Sequence, residues 1–88
     1  MASFMGGSAA AMAGQIAEGY FAVNINTIRK YSPADLALLK HELEKQLREA
    51  RSIVPPQDDA QANQVRHRRI SRISSAVQIV SNKMTARR

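Results

Sequence analysis

Val54-Pro55-Pro56-Gln57-Asp58-Asp59 constrains this chain more than any other segment. A residue before proline is pushed out of the helical region, and a proline within a helix loses a hydrogen bond and clashes with the preceding turn. Helical apolar patterns lie on both sides. Leu36, Leu39, Leu43, Leu47 and Ala50 mark one face before the break, and Ile70, Ile73, Val77, Val80 and Met84 follow at intervals of three, four, three and four after it. Two long amphipathic helices joined by so short a turn lie antiparallel and share their seams. The chain is therefore predicted to be all-α: an antiparallel two-helix hairpin, about 33–52 and 59–84, preceded by a softer helical or irregular N-terminal segment.

The boundaries have chemical reasons. In Tyr31-Ser32-Pro33-Ala34-Asp35-Leu36, Ser32 is suited to N-cap the first hairpin helix, Pro33 to open it and Asp35 to complete a capping box. Asp58 or Asp59 caps the second helix. The first 27 residues form a small-residue and apolar extension in which Ser8 can cap a helix, while Gly14 and Gly19 each weaken one by about 1 kcal/mol relative to alanine. Within it the acid-free, Ser/Ala/Gly/Met-rich stretch from Met1 to Gly14 suits an organellar transit peptide or an appended leader, although no arginine precedes Arg29. Cytoplasm and organelle matrix both stay open as locations. Residues 28–88 make up the hairpin and a basic C-terminal tail.

At 88 residues the chain holds one small domain, and without cysteine it has neither disulfides nor thiolate metal ligands. His41 and His67 stand apart with no ligand pattern, so no metal or other cofactor is expected. No carboxylate pair, Ser/His/Asp set or phosphate-binding glycine loop is visible, and Met5-Gly6-Gly7-Ser8 lacks the lysine and preceding strand that such a loop needs. The chain is expected to be non-enzymatic, with no small-molecule substrate. The apolar stretch from Ala9 to Val23 carries Gln15 and Glu18 and suits a membrane span poorly, so no transmembrane segment is expected.

A net charge of +6 points to an acidic partner, nucleic acid first. The four aromatic residues, Phe4, Tyr20, Phe21 and Tyr31, all precede the basic run, which favours contacts to phosphate and folded shape over base stacking. At 100° per residue, Arg68, Arg69, Arg72 and Lys83 gather on one flank of the second hairpin helix, and Asp35, Glu42 and Glu49 form a stripe on the first. Antiparallel pairing is expected to set Glu42 against Arg68, Arg69 or Arg72. Three acids leave a positive surplus even so. Arg66 falls on the seam line, where it is expected to snorkel outward and splay the hairpin. Leu38 and Ile79 lie off the seams.

The hairpin residues resemble the two-helix family of ribosomal large-subunit protein twenty-nine. Ile28-Arg29-Lys30-Tyr31-Ser32-Pro33-Ala34-Asp35-Leu36 matches the start of that family's first helix, and Leu43, Leu47 and Arg51 fall at its spacing. Arg68-Arg69-Ile70-Ser71-Arg72-Ile73-Ser74-Ser75-Ala76-Val77 is similar to the Arg-rich entry of its second helix, with serines for an alanine and a threonine. The likeness covers roughly residues 28–84. It departs at Lys40, at Ala50 and at the Pro55–Asp59 turn.

The resemblance implies a structural protein bound to folded ribosomal RNA near the peptide exit, beside neighbouring ribosomal proteins. In this reading Arg66, Arg68, Arg69, Arg72 and Lys83 meet RNA phosphates, joined at the open end of the hairpin by Arg29, Lys30, Arg87 and Arg88. The alternative is a small helical subunit of a secretion, phage or coiled-coil assembly, which meets helical protein partners through its seams and through Ile16, Tyr20, Phe21, Leu38 and Ile79.

Overall fold

The computed structural model describes residues 4–86, and these form three α-helices and no strand: α1 (Ala9–Glu18), α2 (Pro33–Ser52) and α3 (Ala60–Ala86). A single 3₁₀ turn at Met5–Gly7 leads into α1. The all-α expectation holds. The N-terminal segment contains a ten-residue helix, α1.

α1 is capped at both ends. The Ser8 hydroxyl accepts from the Ala11 N–H at 3.1 Å. At the other end Gly19 adopts φ 86°, its N–H donates to the Ile16 carbonyl at 3.1 Å, and the Tyr20 N–H donates to the Gln15 carbonyl at 3.0 Å. That pair of bonds is a Schellman motif, which satisfies carbonyls a helix end would otherwise leave open. Gly19 thus terminates the helix instead of weakening its interior.

α2 begins as its sequence dictates. The Asp35 N–H donates to Ser32 Oγ and the Ser32 N–H donates to Asp35 Oδ2, both at 3.1 Å, with Pro33 at the first position. At the start of α3, Asp59 Oδ1 accepts from the Ala62 N–H at 3.0 Å. Arg66 Nε donates to the Ile53 carbonyl at 2.9 Å and Nη2 to the Arg51 carbonyl at 3.2 Å, so the first turns of α3 lie against the last turn of α2. The two helices run antiparallel. Arg66 was expected to snorkel outward; its guanidinium instead takes up carbonyls that the end of α2 cannot satisfy internally.

The core takes side chains from all three helices. Leu36, Leu39 and Leu43 of α2 and Ile73, Ala76 and Val80 of α3 are buried together with Met12, Ala13, Ile16 and Ala17 of α1. Ile28, Val23 and Tyr31 close it from the α1–α2 connection. Leu47, Ile70, Val77 and Met84 are only partly buried, although they belong to the expected seams. Ala76, which lies off the expected α3 seam, is buried, and α1 packs on both α2 and α3. The core is accordingly shared by three helices, where two with a soft extension were expected. Ile16, expected at a protein interface, is a core residue.

Tyr31 ties the connection to α1. Its hydroxyl donates to Met12 Sδ at 3.3 Å, and the Phe4 ring meets it edge-on at 5.2 Å. Burial pushes the Tyr31 phenol up from its ordinary value, and the Asp35 carboxylate adds to the effect.

Candidate functional site

The arginine run lies in the first half of α3, and its members have different surroundings. Arg66 bridges to the end of α2, as above. Arg69 Nη1 meets Glu18 Oε2 at 2.7 Å, an ion pair with side chains 30% and 54% exposed. Arg72 sends Nε and Nη2 to one acceptor, the Ala17 carbonyl, at 3.2 and 2.8 Å. That carbonyl is in the last turn of α1, where the helix dipole is negative and a cation is favoured. A Cβ placed on Gly19 would stand 3.3 Å from the Arg72 guanidinium, so glycine provides both the left-handed turn and the room for this arginine.

The expected partner of the run was Glu42. Among the described residues the one ion pair within 4 Å is instead Arg69–Glu18. The reason is α1, whose C-terminal end comes to the arginine flank of α3 and supplies both an acid and an open carbonyl. Glu18 and the Ala17 carbonyl were not identified from the sequence. The available signal was Gly19 directly after Glu18, which marks a helix end that needs partners.

The other basic residues are less engaged. Arg68, Arg29 and Lys30 are exposed and their side chains make no hydrogen bond or ion pair among the described residues, and Lys83 is half-buried in the last turns of α3. Because α2 and α3 are antiparallel, Arg29 and Lys30, which lead into α2, share an end of the molecule with Lys83. Arg87 and Arg88 lie outside the described residues. The structure therefore separates the nine basic site residues: Arg66, Arg69 and Arg72 brace the fold, while Arg29, Lys30 and Arg68 face solvent.

The expected interface residues also part company. Tyr20 is 83% exposed and Leu38 54%. Phe21 and Ile79 are half-buried and both line a cavity of about 260 Å³, lined also by Val23, Ile16, Gly19 and Arg72. A second, more apolar groove of about 290 Å³ lies near the α2–α3 turn, lined by Ala50, Ile53, Pro55, Ala62, Val65 and Arg66, with Glu49 and Arg69 at its margin.

Among the described residues no group of three or more His, Cys, Asp or Glu side chains is placed to hold a metal ion. Among the described residues no helix is long and apolar enough to cross a membrane. Comparison with protein-family models, curated proteins and solved structures finds no match to this chain.

Proposed function

We propose that this protein is a non-catalytic, RNA-binding helical protein of ribosomal large-subunit type, in which the antiparallel α2–α3 hairpin docks on RNA phosphates and α1 braces it. The observation that carries the reading is uncompensated charge. Thirteen lysines and arginines stand against seven acids. Among the described residues a single ion pair is formed. Arg68 on one flank and Arg29 and Lys30 at the open end are left for a polyanion. The resemblance of residues 28–84 to ribosomal large-subunit protein twenty-nine supports the same partner.

In this reading Arg29, Lys30, Arg68 and Lys83, with the Arg87-Arg88 tail, make the primary phosphate contacts. Arg69 and Arg72 present their remaining N–H groups beside Arg68 while they hold α1. The contacts are to phosphate and folded shape, since no aromatic residue is interleaved with the Arg66–Arg72 run in the sequence.

The test is binding of the full chain to a transcript of large-subunit ribosomal RNA over a salt series. Four to six phosphate contacts give a log–log slope of roughly −3 to −5. Arg68→Glu together with Arg29→Glu and Lys30→Glu abolishes binding at moderate salt and leaves the helical circular dichroism intact. Binding unchanged in that variant overturns the reading.

A second reading, a helical subunit of a protein assembly, is favoured by the exposure of Tyr20 and Leu38. Sedimentation from the native source separates the two: co-migration with large ribosomal subunits supports the first, and a complex free of RNA supports the second.

A further inference from the structure

Glu18 stands where a helix tolerates an acid least. It is the last residue of α1, beside carbonyls at the negative end of the helix dipole, and the last turn of α1 holds no basic residue to offset it. It is also the one acid before Asp35 in the sequence. Its compensation comes from Arg69, 51 residues later, whose Nη1 lies 2.7 Å from Glu18 Oε2.

The same carboxylate sits on the proposed phosphate surface. Carboxylate and phosphate oxygens accept from a guanidinium in the same way. Arg68, the neighbour of Arg69, is exposed, and its side chain makes no hydrogen bond or ion pair among the described residues. Arg69 differs: while Glu18 holds Nη1, it offers a polyanion only its remaining N–H groups and a charge already compensated.

The contacts that hold α1 differ in strength. The Arg69–Glu18 side chains are 30% and 54% exposed, and pairs of that kind are weak. Arg72 holds the Ala17 carbonyl with two charge-assisted, partly buried bonds of 3.2 and 2.8 Å. Met12, Ala13, Ile16 and Ala17 fix the helix in the core as well. A polyanion can therefore take Arg69 from Glu18 while α1 stays docked.

We infer that Glu18 is an autoinhibitory contact, a built-in competitor of phosphate that occupies Arg69 in the free protein and yields it when RNA already held by Arg68 arrives. The inference rests on the RNA-binding reading and adds the regulation of that surface: α1, which braces the hairpin, also lowers its affinity through one carboxylate.

The experiment titrates the full chain with a large-subunit ribosomal RNA transcript and, separately, with inorganic polyphosphate, at one fixed moderate salt. Glu18→Gln is expected to tighten binding about threefold, with a ceiling near fivefold set by the strength of an exposed ion pair. Glu18→Ala gives the same direction should the glutamine variant fold poorly by circular dichroism. Arg69→Gln weakens binding, and in that background Glu18→Gln has no further effect beyond that of Asp58→Asn, an exposed change of equal charge at the α2–α3 turn. An equal gain from Asp58→Asn in the natural chain, a gain from Glu18→Gln that survives in Arg69→Gln, or unchanged or weaker binding by Glu18→Gln would each overturn the inference. So would unchanged binding by Arg69→Gln. Failure to bind the transcript, with the full pattern kept on polyphosphate, removes the RNA reading and leaves the competitor in place. Failure to bind either polyanion overturns both.

Discussion

Arg72 illustrates how one side chain can serve the fold and stand beside the proposed phosphate-binding surface at once. Its two bonds to the Ala17 carbonyl are charge-assisted and partly buried. Hydrogen bonds of this type contribute roughly 1.5–3 kcal/mol, whereas an exposed ion pair such as Arg69–Glu18 contributes at most about 1 kcal/mol. Arg72→Met is therefore expected to lower stability by about 1.5–3 kcal/mol in urea denaturation, and Glu18→Gln by less than about 1 kcal/mol. Tyr31 gives a pH-dependent counterpart. Its phenol is pushed up by burial and by Asp35, so the folded state favours the neutral form. The resulting stability is fully present below the ordinary phenol value of about 10 and is lost as pH rises through the raised value. Urea midpoints of the natural chain should fall more steeply above about pH 10 than those of Tyr31→Phe. Parallel curves would show that the phenol is not coupled to folding.

Among the elements, α1 departs furthest from what its composition suggests. Its two glycines have opposite roles. Gly14 is inside the helix, and a Cβ there would meet nothing within 4 Å, so Gly14→Ala is expected to stabilise by about 0.5–1 kcal/mol through lower chain entropy and better propensity. Gly19 holds φ 86° against the Arg72 guanidinium, so Gly19→Ala is expected to destabilise by about 1–2 kcal/mol. Thermal melts of the two variants, moving in opposite directions, check both assignments. α2 needs no such correction, because its Ser32–Asp35 capping box, its opening proline and its Leu36, Leu39 and Leu43 face all lie within one continuous stretch of chain.

For the whole molecule, the question is whether α1 is an appendage or part of one cooperative unit. The buried cluster takes Met12, Ala13, Ile16 and Ala17 together with Leu39, Leu43 and Ile73, which makes α1 integral to the core. Ile16→Ala is then expected to cost about 2–5 kcal/mol and to move a single unfolding transition, as Leu39→Ala does. A separate early transition of the N-terminal segment, with the main one unmoved, would show that α1 folds apart from the hairpin. The molecule is elongated, 47 × 25 × 19 Å. Its open end carries Arg29, Lys30 and Lys83, while Arg68 lies toward the turn end, one helical turn from the exposed Val65.

The helical class, the capped start of α2, the break at Val54-Pro55-Pro56 and the register of Leu36, Leu39, Leu43, Ile73 and Val80 were all legible in the sequence. Each depends on interactions within a few residues or on a period repeated along one helix. The surplus of positive charge was legible as well, because it is a sum over residues and independent of their placement. Only the tertiary structure decided which cations are available. Arg69 and Arg72 belong to α1 rather than to Glu42 because a helix more than fifty residues earlier ends beside them, and no local pattern encodes that meeting. The same long-range contact made Ile16 a core residue. Local chemistry determined the helices, and the docking of α1 determined which of their faces remain free.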